Sequence, residues 1–248
     1  MLKLVKYELR GNLFTIIGIC IGMVIGNLML LTRRGVWNNS TIYGLSVLIA
    51  VIGMVVIFIY SLNIMSKYLH GDSGYLLFTL PQSGVSIVTS RLITGIVQIT
   101  GVGIVALLVT YLCFDGKIDF SFLHFIKFRM VLFSLISYLY SMSYFLILIY
   151  FSMIIGKAAL RSKKLGKIGS FVVFIALCVA IGWVSTKIYR AFPQSFDMGK
   201  LLSGSILGNS SSIDLTYKMN IASTIFDLLL FGGLFSSSCY LLEKKVDL

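Results

Sequence analysis

Six long apolar runs limit what this chain can fold into more than any other feature of its sequence. Each run covers about 20 residues, and an α-helix of that length, rising about 1.5 Å per residue, crosses the roughly 30 Å hydrocarbon core of a bilayer. The sequence therefore predicts an all-α membrane protein with six transmembrane helices. The predicted spans are 13–31, 42–65, 87–114, 130–155, 170–189 and 221–242.

The composition excludes an ordinary soluble domain. Hydrophobic residues make up 58% of the chain and charged residues 12%, whereas a soluble domain carries about 25% charged residues. No stretch between the runs is long enough for a separate soluble unit, so residues 1–248 are predicted to form one membrane domain. The first run is expected to remain as a span, because the basic pair Arg33 and Arg34 follows it instead of a cleavage site.

The distribution of basic residues indicates the orientation in the membrane. Lys and Arg residues near span ends are retained on the cytoplasmic side. They are densest in the loop 156–167, GKAALRSKKLGK, which we place in the cytoplasm together with both termini. The protein is thus predicted to lie in the cell membrane. Its formal net charge of +12 reflects this topology and the attraction of anionic lipids rather than a nucleic-acid partner.

Three further patterns bear on how the spans are arranged. The opening stretch 1–12, MLKLVKYELRGN, places basic side chains on one helical face and apolar ones on another, which is typical of an interfacial elbow helix; a basic flank of the first span is the alternative. The connection 190–220 is too apolar for a free linker and too broken for a span, so one or two short helices are predicted there. Gly18, Gly22 and Gly26 are spaced for close packing against another helix.

The chain offers few groups for catalysis. Its two histidines, His70 and His124, fall between predicted spans, and the sequence has no HExxH zinc motif, no paired carboxylates and no GxSxG nucleophile motif. The phosphate-binding pattern GxxxxGK[ST] is also absent from the sequence. We therefore expect no catalytic residue, metal or cofactor on this chain. Energy for active transport would come from an ion gradient or from another subunit.

Four polar residues inside predicted spans are candidates for a transport pathway. Ser137, Ser141 and Tyr144 lie in the fourth span, where packing and hydrogen bonds between helices explain them more readily than a substrate path does. Asp227 lies in the sixth span, and an ionisable residue inside a membrane is a functional candidate by default. It would line a water-filled cavity or pair with a lysine or tyrosine of a neighbouring helix.

The segment 71–91, GDSGYLLFTLPQSGVSIVTSR, is unusually rich in chemistry for a connection between two spans. From its residue types alone, it is either a docking element with aromatic anchors or an interfacial loop with aromatics at the lipid headgroups. It resembles the first cytoplasmic loop of ABC-2 type transporter permeases, especially the small six-span subunits of Gram-positive bacteria. The matching residues are Asp72, Gly74, Tyr75, Leu76, Leu77, Phe78, Thr79, Leu80, Pro81 and Arg91.

This resemblance implies a cytoplasmic coupling helix in the loop, docked on a separate ATP-binding subunit. Two such subunits would bind ATP and Mg, and a second permease chain, identical or homologous, would complete the transporter. The implied function is export of an antimicrobial peptide or another amphipathic substrate. Two other classes stay open at this stage: an ion-coupled secondary transporter using Asp227, and a membrane assembly or sensor protein that does not transport.

Overall fold

A computed structural model of the protein describes residues 2–70, 83–114, 128–159, 163–197 and 218–244. Six helices in these residues are long and apolar enough to cross a membrane, which confirms the predicted number of spans. Two short strands pair antiparallel, with Ser195 opposite Asn220. The elements are α1 (Leu2–Leu31), α2 (Asn39–His70), α3 (Gly84–Cys113), α4 (Phe128–Ala159), α5 (Lys163–Ala191), β1 (Ser195–Asp197), β2 (Lys218–Asn220) and α6 (Ile221–Lys244).

The helices extend beyond the predicted spans, most clearly at the start of the chain. The predicted elbow, 1–12, is not a separate helix within the described residues, because α1 runs from Leu2 through Gly11 and Asn12 without a break. Interactions with other helices explain this continuity. Glu8 pairs with Arg91 of α3, and Asn12 accepts a hydrogen bond from α2, so the first turns of α1 have tertiary partners.

The strand pair was not predicted for the connection 190–220. It joins the end of α5 to the start of α6, while residues 198–217 lie outside the described part of the chain. Asn220 stabilises this junction by capping α6. Its Oδ1 accepts a hydrogen bond from the Ser223 amide at 3.0 Å, and its Nδ2 donates to the Phe192 carbonyl at 2.6 Å. Asparagine is among the preferred residues for such a cap.

The chain divides into two compact units, and the prediction of a single membrane domain stays a prediction. The first unit contains α1, α2 and α3, which pack against one another. Its core is formed by Met23 of α1, Ile57 of α2, and Val102 and Ala106 of α3. In the most apolar stretch of α3, 39% of the residues are buried, a larger share than in any other span, so this helix is the centre of the first unit.

The second unit contains α4, α5, α6 and the strand pair. Leu146, Ile147 and Ile154 of α4 form its buried interior. Gly156 lets α4 approach α5 closely, because a Cβ atom there would lie 2.7 Å from the Ser170 backbone nitrogen. The predicted loop 156–167 is correspondingly short, since α4 continues to Ala159 and α5 begins at Lys163.

The glycine strip of α1 packs at one end within the described residues. A Cβ atom added at Gly26 would lie 3.3 Å from Ile49 of α2. At Gly18 and Gly22 no neighbouring atom in the described part of the chain lies within 4 Å of such a Cβ. The close approach predicted for all three positions is therefore seen at Gly26.

Candidate functional site

The predicted docking loop falls mostly outside the described residues. It occupies the connection between α2, which ends at His70, and α3, which begins at Gly84. Arg91 lies within the structure, near the start of α3. The matched positions that lie outside are Asp72, Gly74, Tyr75, Leu76, Leu77, Phe78, Thr79, Leu80 and Pro81.

Arg91 forms an ion pair inside the first unit. Its Nη1 lies 3.0 Å from Oε1 of Glu8 on α1, and the two side chains are only 8% and 12% exposed. Thr94, one turn further along α3, donates a hydrogen bond of 3.1 Å to the other carboxylate oxygen of Glu8. Buried charges need such partners, because removal of either one leaves the other charge uncompensated. A role of Arg91 in docking stays a prediction.

The ion pair and its Thr94 hydrogen bond form one polar layer of the first unit. A second polar layer lies further into the same unit. The Tyr60 hydroxyl of α2 donates to Oδ1 of Asn12 at 2.8 Å and accepts from Thr15 at 3.3 Å. Gln98 of α3 and Ser61 of α2 are each 1% exposed, and their side-chain polar atoms have no hydrogen-bond partner within the described part of the chain. The two layers make this three-helix unit polar at one end and apolar around Met23.

Sequence reasoning missed these layers, although a signal was present. Polar residues of α1 recur at spacings of four and three, and those of α3 at spacings of three and four, which places each set on one helical face. An apolar span with polar residues at such spacing packs its polar face against other helices. The residues are Glu8, Asn12 and Thr15 on α1, and Arg91, Thr94 and Gln98 on α3.

The helical stems on both sides of the predicted docking loop are well packed. Met65 and Leu69, at the end of α2, are 0% and 3% exposed. Ile87 and Val88, at the start of α3, are 3% and 0% exposed. Close-packed interiors transmit displacement because they have little free volume. The two helix ends that flank the loop are therefore packed into the first unit.

The opposite end of the first unit is also connected across helices. The Cys113 thiol donates to Oδ1 of Asn27, with an Sγ to Oδ1 distance of 3.4 Å, and Asn27 is 2% exposed. Arg34, which follows α1, donates from Nη2 to the Leu112 carbonyl at 3.0 Å. These contacts join α1 to the end of α3, so the two helices are connected at both ends of the unit.

In the second unit, the predicted pathway residues Tyr144 and Asp227 lie on α4 and α6, two helices that pack against each other. Tyr140 and Tyr144 lie on α4 with ring centroids 6.2 Å apart, and Tyr140 contacts Phe231 of α6 at 5.9 Å. Asp227 lies one helical turn before Phe231, on the same side of α6. We call Asp227, Tyr140, Tyr144 and Phe231 the tyrosine–aspartate cluster.

The polar atoms of this cluster are incompletely paired. Both tyrosine hydroxyl oxygens are buried and have no hydrogen-bond partner within the described residues. Asp227 forms no ion pair within the same residues. Buried polar groups are normally hydrogen-bonded, so each exception calls for a physical reason.

The predicted serines lie beside the tyrosines of the cluster. Ser137 is half-buried and Ser141 is exposed. At 100° per residue, Ser134, Ser141, Ser137, Tyr144 and Tyr140 follow one another around about a third of the α4 surface. An open hollow adjoins this hydroxyl-bearing arc, and it is lined by Met130, Val131, Ser134, Leu135 and Tyr138.

The six helices that are long and apolar enough to cross a bilayer indicate a multi-pass membrane protein. Comparison with known protein families, curated proteins and solved structures found no match to this chain.

Proposed function

We propose that this protein is the membrane-spanning permease subunit of an ATP-driven ABC transporter of the ABC-2 type, exporting an antimicrobial peptide or another amphipathic substrate. The proposal rests on the resemblance of segment 71–91 and on the six apolar helices, which suit a transporter. The observation that carries it is the buried Glu8–Arg91 ion pair beside the predicted docking loop.

The ion pair supports coupling because it joins α1 to the start of α3, close to the end of the loop. The helices α2 and α3 already pack against each other, and side chains at the ends next to the loop, such as Leu69 and Ile87, are buried. A displacement imposed on the loop would therefore move α1, α2 and α3 together. Rigid-body movement of packed helices is a common way to carry a switching signal across a protein.

The proposed assembly contains components that this chain lacks. Two ATP-binding subunits would supply ATP and Mg chemistry, and a second permease chain, identical or homologous, would provide the other half of the transporter. The protein would lie in the cell membrane among lipids, with both termini in the cytoplasm. Nucleotide-driven closure of the ATP-binding subunits would displace the loop.

A pull-down tests this proposal. The tagged protein is extracted from its native membrane in mild detergent, and we expect a stoichiometric subunit that hydrolyses ATP to accompany it. Tyr75→Ala combined with Phe78→Ala should release that subunit, because aromatic anchors dominate the energy of docking. Failure of any ATPase to accompany the unaltered protein would overturn the proposal.

A matched control uses an aromatic pair of the same kind at the other end of the first unit. Tyr43 and Phe114 form an edge-to-face contact, with ring centroids 5.3 Å apart. Tyr43→Ala combined with Phe114→Ala should keep the ATPase bound. If both double variants lost it equally, the loss would reflect general damage to the fold rather than removal of docking anchors.

A second candidate function is ion-coupled secondary transport. The observation that favours it is Asp227, a carboxylate within a spanning helix that forms no ion pair within the described residues. Such a transporter would depend on a proton or sodium gradient, would work without an ATPase, and would stop in Asp227→Asn. Uptake into vesicles with and without an imposed gradient separates this function from the first.

A further inference from the structure

We propose that the tyrosine–aspartate cluster binds a monovalent lipophilic organic cation, with Asp227 as the counter-charge and the surrounding aromatic rings as the apolar wall. The inference deepens the transport function proposed above, on which it rests for its biological meaning, by naming a substrate class. It is carried by the geometry of α4 and α6 around Asp227.

The charge of the site determines the charge of the ligand. Asp227 contributes one negative charge within a spanning helix, where an uncompensated ion is costly. No basic side chain compensates it within the described residues. On the neighbouring α5, Lys187 lies over the ring of Trp183, with Nζ 5.4 Å from the ring centroid. A ligand with one positive charge would supply the missing partner.

The aromatic rings favour an organic cation. Tyr140 contacts both Tyr144 and Phe231, with centroid distances of 6.2 Å and 5.9 Å, so three rings lie together, and Asp227 is one helical turn from Phe231. A cation within about 6 Å of such a ring is attracted by its negative face, most strongly where water is excluded. The tyrosine oxygens, which lack hydrogen-bond partners within the described chain, add further partial negative charge.

The same residues fit a small metal ion poorly. Calcium prefers six to eight oxygen ligands and magnesium about six, commonly from several carboxylates. The cluster offers one carboxylate and two phenolic oxygens, and no group of three His, Cys, Asp or Glu side chains occurs in the described residues. A ligand that brings its own apolar surface suits the site better than a hydrated ion does.

The surface of α4 offers such a ligand a route. The hollow beside Ser134 and Tyr138 is open and mainly apolar, and the hydroxyl-bearing arc leads from it through Ser137 to Tyr144. An amphipathic cation would place its apolar groups against Leu135 and Val131 while its charge moves along the hydroxyls. The predicted serines thereby gain a role in access rather than in final binding.

Equilibrium binding to the purified full-length protein in lipid nanodiscs tests the inference. The probe is tetraphenylphosphonium, a lipophilic cation, and its comparison is tetraphenylborate, an anion of nearly the same size and shape. We expect saturable binding of the cation and no saturable binding of the anion. Asp227→Asn should weaken cation binding at least about tenfold, since a desolvated charge partner is lost, and Phe231→Leu should weaken it about threefold through loss of one ring.

Two further variants keep the test interpretable. Tyr144→Phe preserves the ring and the packing, so a modest loss of affinity there would support the site even if Asp227→Asn folded poorly. Glu243→Gln removes the other described carboxylate of α6 and should leave the affinity unchanged. Equal binding of cation and anion, or unchanged cation binding in correctly folded Asp227→Asn, would overturn the inference.

The assay contains neither ATP nor an ATP-binding subunit. Loss of the cation site would therefore leave the pull-down result unaffected, and a failed pull-down would leave the binding result unaffected.

Discussion

Arg91 of α3 and Glu8 of α1 form a buried ion pair, with Nη1 3.0 Å from Oε1, at the end of the first unit where the predicted docking loop is attached. The pair lies where the sequence predicts an interfacial elbow and a coupling element. The pair joins α1 to α3 at this end, so a movement of one helix would be passed to the other. Two of the following predictions test this connection between the helices.

Removing one partner of the pair should destabilise the protein more than removing both. Arg91→Ala leaves the Glu8 carboxylate buried without its charge partner, which typically costs about 3–5 kcal/mol. Arg91→Met combined with Glu8→Gln removes both charges and should recover most of that stability. Thermal unfolding in detergent, followed by tryptophan fluorescence, measures the order. Arg10→Ala, at an exposed position one turn before Phe14, is the control and should have little effect.

The same double variant should separate binding from coupling. Arg91→Met with Glu8→Gln leaves the loop anchors Tyr75 and Phe78 intact, so the ATP-binding subunit should still accompany the protein. Substrate-dependent ATP hydrolysis by the complex should fall, because the charge link between α1 and α3 is lost. Full stimulation in a stable double variant would show that movement reaches the spans without this pair.

Gly156 should be intolerant of any side chain. A Cβ atom there would lie 2.7 Å from the nitrogen and 2.8 Å from the Cα of Ser170, and backbone atoms cannot rotate away. Overpacking of this kind costs about 1–3 kcal/mol, so Gly156→Ala should lower the Tm. Gly232→Ala is the matched control, because no neighbouring atom of the described residues lies within 4 Å of its Cβ position. The idea fails if the two substitutions change the Tm equally.

Asn220→Ala should loosen the start of α6. The substitution removes the acceptor for the Ser223 amide and the donor to the Phe192 carbonyl. Loss of such a cap costs about 0.5–2 kcal/mol, so amide hydrogen exchange should accelerate in the first turn of α6. Asn38→Ala removes a comparable contact to the Ser40 amide, at 3.3 Å, and should affect only the start of α2. Unchanged exchange at Ser223 would show that the cap is dispensable.

The six spans could be predicted because length and apolarity alone decide whether a segment crosses a bilayer. Their ends could not, because Glu8 and Asn12 owe their helical surroundings to partners on other helices. The strand pair was missed for a similar reason, since Ser195 and Asn220 become neighbours only through the fold. Apolar periodicity gives no information about contacts between distant segments.

The candidate sites show the same division. Asp227 and Tyr144 were identified singly from the sequence, because an ionisable group or a hydroxyl in a span is conspicuous. Which faces of α4 and α6 pack together could not be predicted, and the ring contact of Tyr140 with Phe231 shows those faces. Gln98 was not identified from the sequence, although its spacing from Arg91 and Thr94 places it on the same face of α3.

The helix α5 has close contacts at its two ends, and most of its apolar stretch between them is not buried. One contact is that of Ser170 with Gly156, and the other is the hydrogen bond from Asn220 to Phe192. Only 6% of the residues in its most apolar stretch are buried, so one apolar residue there can largely replace another. The length of α5 cannot change as freely, because one inserted residue would rotate one of these contacts by about 100° relative to the other. Natural variation in α5 should therefore consist of substitutions, while insertions and deletions are selected against.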